Sequence, residues 1–269
     1  MNAKIDKLQF GPWALITGAS SGIGREFARQ IAASGIHVVL VARREALLEE
    51  VGRGVAAEFG VKYRTVVADL SQDGFLKQLA EATDELDLGL IVSNAGTGNP
   101  GKFLSIDRRE LENLLRLNTM SHLDIAHHFG QKLARRGKGG LLFVGAMAAL
   151  LANPYMANDV AAKAYVLMLG ESLHYDFRKM GLNVTVVMPG ATDTPVLAKF
   201  GFDAATTPMK PMLVHQCVAE GLAALSANRA RCVPGRMNRI MLKLMPRPIL
   251  RKMLAKKFEQ VVANKSPAL

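Results

Sequence analysis

The chain has 269 residues, of which 49% are hydrophobic and 21% charged, and it carries a formal net charge of +11. This length and apolar content suit one large α/β domain, or at most two small ones, with a sizeable core. The two cysteines, Cys217 and Cys232, form no metal-type spacing and no disulfide framework, which agrees with a reducing cytosol.

In chain order, a short apolar run at 13–16 leads into Thr17-Gly18-Ala19-Ser20-Ser21-Gly22-Ile23-Gly24. A helical pattern follows, with Phe27, Ala28, Ile31 and Ala32 at spacings of three and four. Strand, glycine-rich turn and helix make the context that a phosphate-cradling loop requires. Gly18 allows the tight turn, Gly22 lets the backbone approach a pyrophosphate, and Gly24 lets the helix pack on the strand. The free N–H groups of the helix start then face the anion. Gly18, Ser20, Ser21, Gly22, Ile23 and Gly24 are therefore expected at a dinucleotide.

Further apolar runs lie at 37–41, 63–67, 88–92, 141–144 and 184–188, with helical segments predicted at 45–59, 107–135 and 159–179. Strands alternating with helices mean βαβ units and a buried parallel sheet. The expected fold is a single doubly wound Rossmann-type α/β domain over residues 1–235, with helices on both faces and ligands at the carboxyl ends of the strands. Residues 1–11 lack the apolar core of a signal peptide. Residues 141–157, the most apolar stretch, contain Gly145, Asn153 and Pro154 and fall short of a membrane span. A soluble, cytoplasmic protein is expected.

These motifs together resemble the short-chain dehydrogenase/reductase family over residues 13–233. The resemblance implies an oxidoreductase with a nicotinamide cofactor. Asn94-Ala95-Gly96 matches the motif that steadies the sheet beside the cofactor, and Asp69 the acid that contacts the adenine. Asn118 matches the helix asparagine of the active site, and Lys163 the catalytic lysine. Pro189-Gly190 with Thr194 looks like the segment that holds the nicotinamide carboxamide. Independently, a NAD-preferring site carries an acid at the end of the second strand, where this chain has Ala42 followed by Arg43 and Arg44, with Arg25 near the glycine turn. A guanidinium can bind a 2′-phosphate bidentately, so NADP (NADPH) is the expected cofactor, with Arg43 on the phosphate.

The family pattern also has a serine, a tyrosine thirteen residues later, and a lysine four beyond. Counting back from Lys163, the tyrosine position holds Asp159 and the serine position Ala146; no Ser or Thr occurs between Ser121 and Ser172. Using an ordinary aspartate as the acid at pH 7 costs roughly 4 kcal/mol. Asp159 is read either as an altered acid–base group or as an i,i+4 ion-pair partner of Lys163. Tyr155 is a candidate stand-in, although Pro154 before it points to a loop. His122, His127 and His128 lack metal-ligand partners and are read as surface or interface residues, and no metal site is expected. The function expected is NADP-dependent oxidoreduction of a hydrophobic carbonyl or alcohol by non-standard residues. The alternative is a non-redox protein that binds the cofactor, with Asp159 as base of a lyase or isomerase.

From Arg229 onward there are 11 Lys or Arg against one acid, Glu259, so this tail carries nearly all the net charge. Residues 236–269 form a basic amphipathic extension, with Ile240, Met241, Leu244 and Met245 on one face, a break at Pro246 and Pro248, and a second stripe through Phe258. It is read first as a lid or subunit interface and second as a peripheral membrane contact. Nucleic acid is not expected, because only Phe258 is available to stack on a base. The expected partners are a small hydrophobic substrate and further copies of the chain, as homodimer or homotetramer.

Overall fold

The computed structural model describes residues 4–199 and 210–265. A four-residue helix, α1 (Lys7–Phe10), precedes β1 (Trp13–Thr17), α2 (Gly22–Ala32), β2 (His37–Ala42), α3 (Glu45–Phe59), β3 (Tyr63–Val67), α4 (Phe75–Ala82) and β4 (Leu88–Ser93). Then come α5 (Arg108–Leu115), α6 (Ser121–Arg136), β5 (Gly139–Val144), α7 (Ala157–Arg178), β6 (Leu182–Val187), α8 (Pro195–Lys199) and α9 (Val214–Ser226). The two-residue strand β7 (Arg231–Cys232), α10 (Arg236–Leu244) and α11 (Arg247–Lys265) follow.

The seven strands are parallel, in the order β3-β2-β1-β4-β5-β6-β7. The chain runs outward from β1 to β3, then returns to place β4 on the other side of β1. The crevice at this reversal is where a doubly wound sheet binds its ligand. Successive strand residues point to opposite faces. Accordingly Ile16, Leu40, Val92 and Val144 pack with Phe27, Ile31, Leu48 and Leu222 from α2, α3 and α9. Leu15, Val41, Ile91 and Phe143 pack on the other face with Leu79, Phe129 and Val166 from α4, α6 and α7. Both faces are covered, which is why the strands read as unbroken apolar runs. Burying a side chain such as Phe129, which has no exposed surface, contributes roughly 1.5–3 kcal/mol.

The structure departs from the predicted elements in two places that bear on function. The single helix expected over 107–135 is interrupted by a π turn at Arg116–Met120. Such a turn inserts a residue and shifts the helix face by one position, and Asn118 within it is fully buried. The sheet also gains β7, anchored by Val186 N–H to Ala230 O and Met188 N–H to Cys232 O, at 2.9 and 2.8 Å. Two residues are too few to show a strand pattern. The tail forms two helices separated at Pro246, and no helix among the described residues is long and apolar enough to cross a membrane.

Candidate active site

The glycine-rich turn leaves the carboxyl end of β1 and closes onto α2. Thr17 ties it to the β4 end: its hydroxyl accepts the N–H groups of Asn94 and Ala95, both at 2.9 Å. The Asn94 amide donates back to the Thr17 carbonyl at 2.8 Å. Gly18 sits at φ +66°, and a Cβ there would lie 2.8 Å from Asn94 Nδ2. A Cβ on Gly24 would run into the Gly18 carbonyl oxygen. Across the turn stand Thr194 and Pro195; a Cβ on Gly22 would meet the Thr194 side chain at 3.2 Å. The structure therefore brings Gly18, Ser20, Ser21, Gly22, Ile23, Gly24, Asn94, Ala95 and Thr194 to one cradle, which fits the phosphates of a dinucleotide at a helix start.

The basic side chains around the cradle divide differently from the sequence reading. Arg44, not Arg43, lies on the turn and donates from Nη2 to both Ser20 Oγ and Ser21 Oγ at 2.9 Å. Arg43 pairs with Asp69 at 3.6 Å, and Arg25 with Glu50 at 3.2 Å. Partial burial pushes the Asp69 carboxyl up, but the Ser71 hydroxyl and N–H and the Arg43 guanidinium outweigh it and hold the group below its ordinary value. Asp69 is thus an ionised acceptor at the end of β3.

Behind the cradle, Gly96 brings the second half of the site together: a Cβ there would lie 3.1 Å from Lys163 Nζ and 3.2 Å from Asn118 Oδ1. Asn118 is locked by two bonds to Thr97, accepting its N–H at 3.0 Å and donating to its carbonyl at 2.7 Å. Lys163 donates to the Val144 carbonyl at 3.2 Å. Burial disfavours its ammonium and lowers its pKa from 10.5 to about 8, against the opposing pull of Asp159.

His122 corrects the sequence reading. It is fully buried at the start of α6, directly after the π turn, with Nδ1 2.7 Å from Ser93 Oγ on β4. Burial, helped by the Lys163 charge, lowers its pKa to about 3, so it is a neutral imidazole. His127 is exposed and His128 half-buried, and no group of metal-ligating side chains occurs among the described residues.

Asp159, in the first turn of α7, is 6% exposed. Its Oδ1 accepts the Asn99 N–H at 2.9 Å, and no ion pair joins it to Lys163. The i,i+4 pair expected from spacing is therefore replaced by two bonds in different directions, to the 94–101 loop and to β5. Burial raises the Asp159 pKa, partly offset by the Asn99 N–H and Lys163. Ala146 is extended at the end of β5, beside Met147, whose N–H donates to Pro189 O at 2.9 Å. Tyr155 adopts φ +63°, a sparsely populated conformation for a bulky residue, and its carbonyl accepts the Gly101 N–H at 2.9 Å. Gly190 is closed off by Asn238 of α10, whose Nδ2 would lie 2.9 Å from a Cβ at that position. Asn238 carried no sequence signal, since only the fold brings α10 to the Pro189-Gly190 segment.

A sequence model described as short chain dehydrogenase matches residues 12–204. A 7beta-hydroxysteroid dehydrogenase of Clostridium sardiniense is 30% identical over 191 residues, 71% of this chain and 73% of that protein. A very-long-chain 3-oxoacyl-CoA reductase of Neurospora crassa is 34% identical over 183 residues, which span 66% of this chain but only 55% of that protein. Among solved structures, a short-chain dehydrogenase from Sphingobium yanoikuyae in complex with NADPH superposes with a TM-score of 0.80 at 27% identity, covering 96% of this chain and 98% of that one. The relatives are oxidoreductases by name, and the family model spans most of the strands described above: the chain belongs to the short chain dehydrogenase family.

Proposed function

We propose that the protein is an NADP-dependent oxidoreductase that interconverts a hydrophobic carbonyl compound and its alcohol. The observation that carries this reading is the convergence of Lys163 and Asn118 at Gly96, directly behind the Gly18–Gly24 cradle. The bound cofactor supplies the hydride. Arg44, held on Ser20 and Ser21, and Arg43 beside it take the 2′-phosphate through charge-assisted bonds. Asp69 accepts from the adenine side, while Pro189, Gly190 and Thr194 hold the carboxamide. Asn118 fixes the Thr97 backbone, and with it the floor of the site.

The proton requires a different source from the family's phenol. Lys163, with its pKa lowered to about 8, is still mainly protonated at pH 7 yet releases its proton far more readily than an exposed lysine. Lys163 gives that proton to the carbonyl oxygen and is reprotonated from solvent. Asp159 clamps the 94–101 loop through Asn99, and the Tyr155 carbonyl holds the end of that loop through the Gly101 N–H. One observation favours the second reading, a non-redox protein: the raised pKa of Asp159 makes it a stronger base than an ordinary aspartate.

The hydrophobic substrate class is supported by the names of two relatives, which specify a hydroxysteroid and a very-long-chain 3-oxoacyl-CoA. Exposed Met120, Tyr165, Met168 and Tyr175 on the outer side of the π turn and α7 support assembly with further copies of the chain, as homodimer or homotetramer. The free thiols of Cys217 and Cys232 support a cytoplasmic setting. Calorimetric titration tests the cofactor assignment: NADPH should bind at least tenfold tighter than NADH, a difference of about 1.4 kcal/mol. Equal affinities contradict it.

A further inference from the structure

The helices after β7 present an apolar surface that nothing in the described chain covers. On α10, Met237, Ile240 and Leu244 stand at i, i+3 and i+7, on one face of the helix. All three are exposed, Leu244 to 73%, while the opposite side carries Asn238 toward Gly190. On α11, Leu250, Phe258, Val261 and Val262 are buried, whereas Ile249 and Met253 point outward at 53% and 56% exposure.

Cations flank these outward residues. Arg231 and Arg239 are engaged with Glu171 and Glu220. Arg236, Lys243, Arg247, Arg251, Lys252 and Lys256 make no ion pair among the described residues and are exposed. On α11 the order Ile249, Lys252, Met253, Lys256 alternates apolar and cationic groups along one stripe.

We infer that α10 and α11 form a peripheral docking surface for an anionic lipid bilayer. Each apolar side chain on the stripe buries into the acyl boundary, and the lysines and arginines beside it meet the phosphate headgroups. Each cation near an anionic bilayer surface contributes about 1 kcal/mol, so six unpaired ones are ample for reversible binding at low salt. A second copy of this chain fits the face poorly, because it would oppose two surfaces of the same strong charge. A nucleic acid would leave the exposed methionine, isoleucine and leucine side chains without a role, and the tail's one aromatic residue, Phe258, is buried.

Sedimentation of the full-length protein with vesicles tests this, using pure phosphatidylcholine and phosphatidylcholine with one third phosphatidylglycerol. Binding should be at least tenfold stronger to the anionic vesicles and should fall with added salt. Leu244→Glu with Met253→Glu should lower it at least tenfold, and so should Lys243→Gln, Lys252→Gln and Lys256→Gln together. Unchanged NADPH binding and melting temperature establish that each variant is folded; if the glutamate pair disturbs folding, Leu244→Ser with Met253→Ser replaces it. Equal binding to neutral and anionic vesicles, or no binding by the intact protein, overturns the proposal. So does oligomerisation that the glutamate variant abolishes without any vesicle binding, or transfer-RNA binding that is stronger than vesicle binding and insensitive to Leu244→Glu.

Discussion

Replacing Lys163 by methionine should separate the stability of the fold from its chemistry. The lysine is half-buried, and the desolvation of its ammonium lowers its pKa from 10.5 to about 8. Below pH 8 both folded and unfolded chains hold the proton, and the folded state bears the whole desolvation cost, about 3 kcal/mol. As pH rises through 8 the folded state releases the proton while the unfolded state keeps it up to 10.5. Unfolding free energy contributed by this group therefore increases with pH across the window from 8 to 10.5, by about 2 kcal/mol between pH 7 and pH 9.5. Lys163→Met removes the titration but leaves the Val144 carbonyl without its donor, a loss of about 1 kcal/mol. The variant should thus be about 2 kcal/mol more stable than the parent at pH 7, with the gap closing toward pH 10, while carbonyl reduction is lost. Urea unfolding of both proteins without cofactor, at pH 7 and 9.5, measures this. Parallel pH dependence in the two proteins would refute the reasoning that Lys163 is a desolvated cation.

Three further outcomes follow from the site. If the guanidinium fixed on Ser20 and Ser21 takes the 2′-phosphate as proposed, Arg44→Ala should weaken NADPH at least tenfold and leave NADH within about twofold; calorimetry reads both. Tyr155→Phe should keep turnover within about twofold if Lys163 is the acid, whereas a loss of a hundredfold or more would make Tyr155 the proton donor. Asp159→Tyr with Ala146→Ser should raise NADPH-dependent reduction at least ~100-fold, non-additively, because the serine orients the oxygen that the tyrosine protonates. The same change strips Asn99 of its acceptor, so thermal unfolding should show a loss of about 1–3 kcal/mol.

Much of the fold was legible because its signals are local. Apolar runs such as that at 88–92 announce strands buried on both faces, and the glycines between β1 and α2 carry their backbone demands openly. What escaped the sequence depends on contacts between distant segments. An Asp and a Lys four apart on one helix predict an ion pair, yet the start of α7 meets the 94–101 loop, and the Asn99 N–H captures Asp159. Arg43 and Arg44 are equivalent as letters; only the direction of the chain leaving β2 sends Arg44 to the turn and Arg43 to Asp69. His122 looked like a surface residue because a π turn shifts the helix face by one residue without altering composition. In the tail, periodicity revealed apolar stripes but not which of them face inward.

The central claim is the proposed hydride transfer by a site in which the sequence count places Ala146 and Asp159 at the serine and tyrosine positions. Incubation with NADPH deuterated at the transferable C4 position and a panel of hydrophobic ketones, followed by mass spectrometry of the alcohols, tests it directly. The account predicts one deuterium on the carbinol carbon of an accepted substrate, with none when Lys163→Met replaces the parent. Tight NADPH binding with no deuterium in any product, while the protein transforms a substrate without consuming cofactor, would contradict it and leave Asp159 as the base of a non-redox reaction.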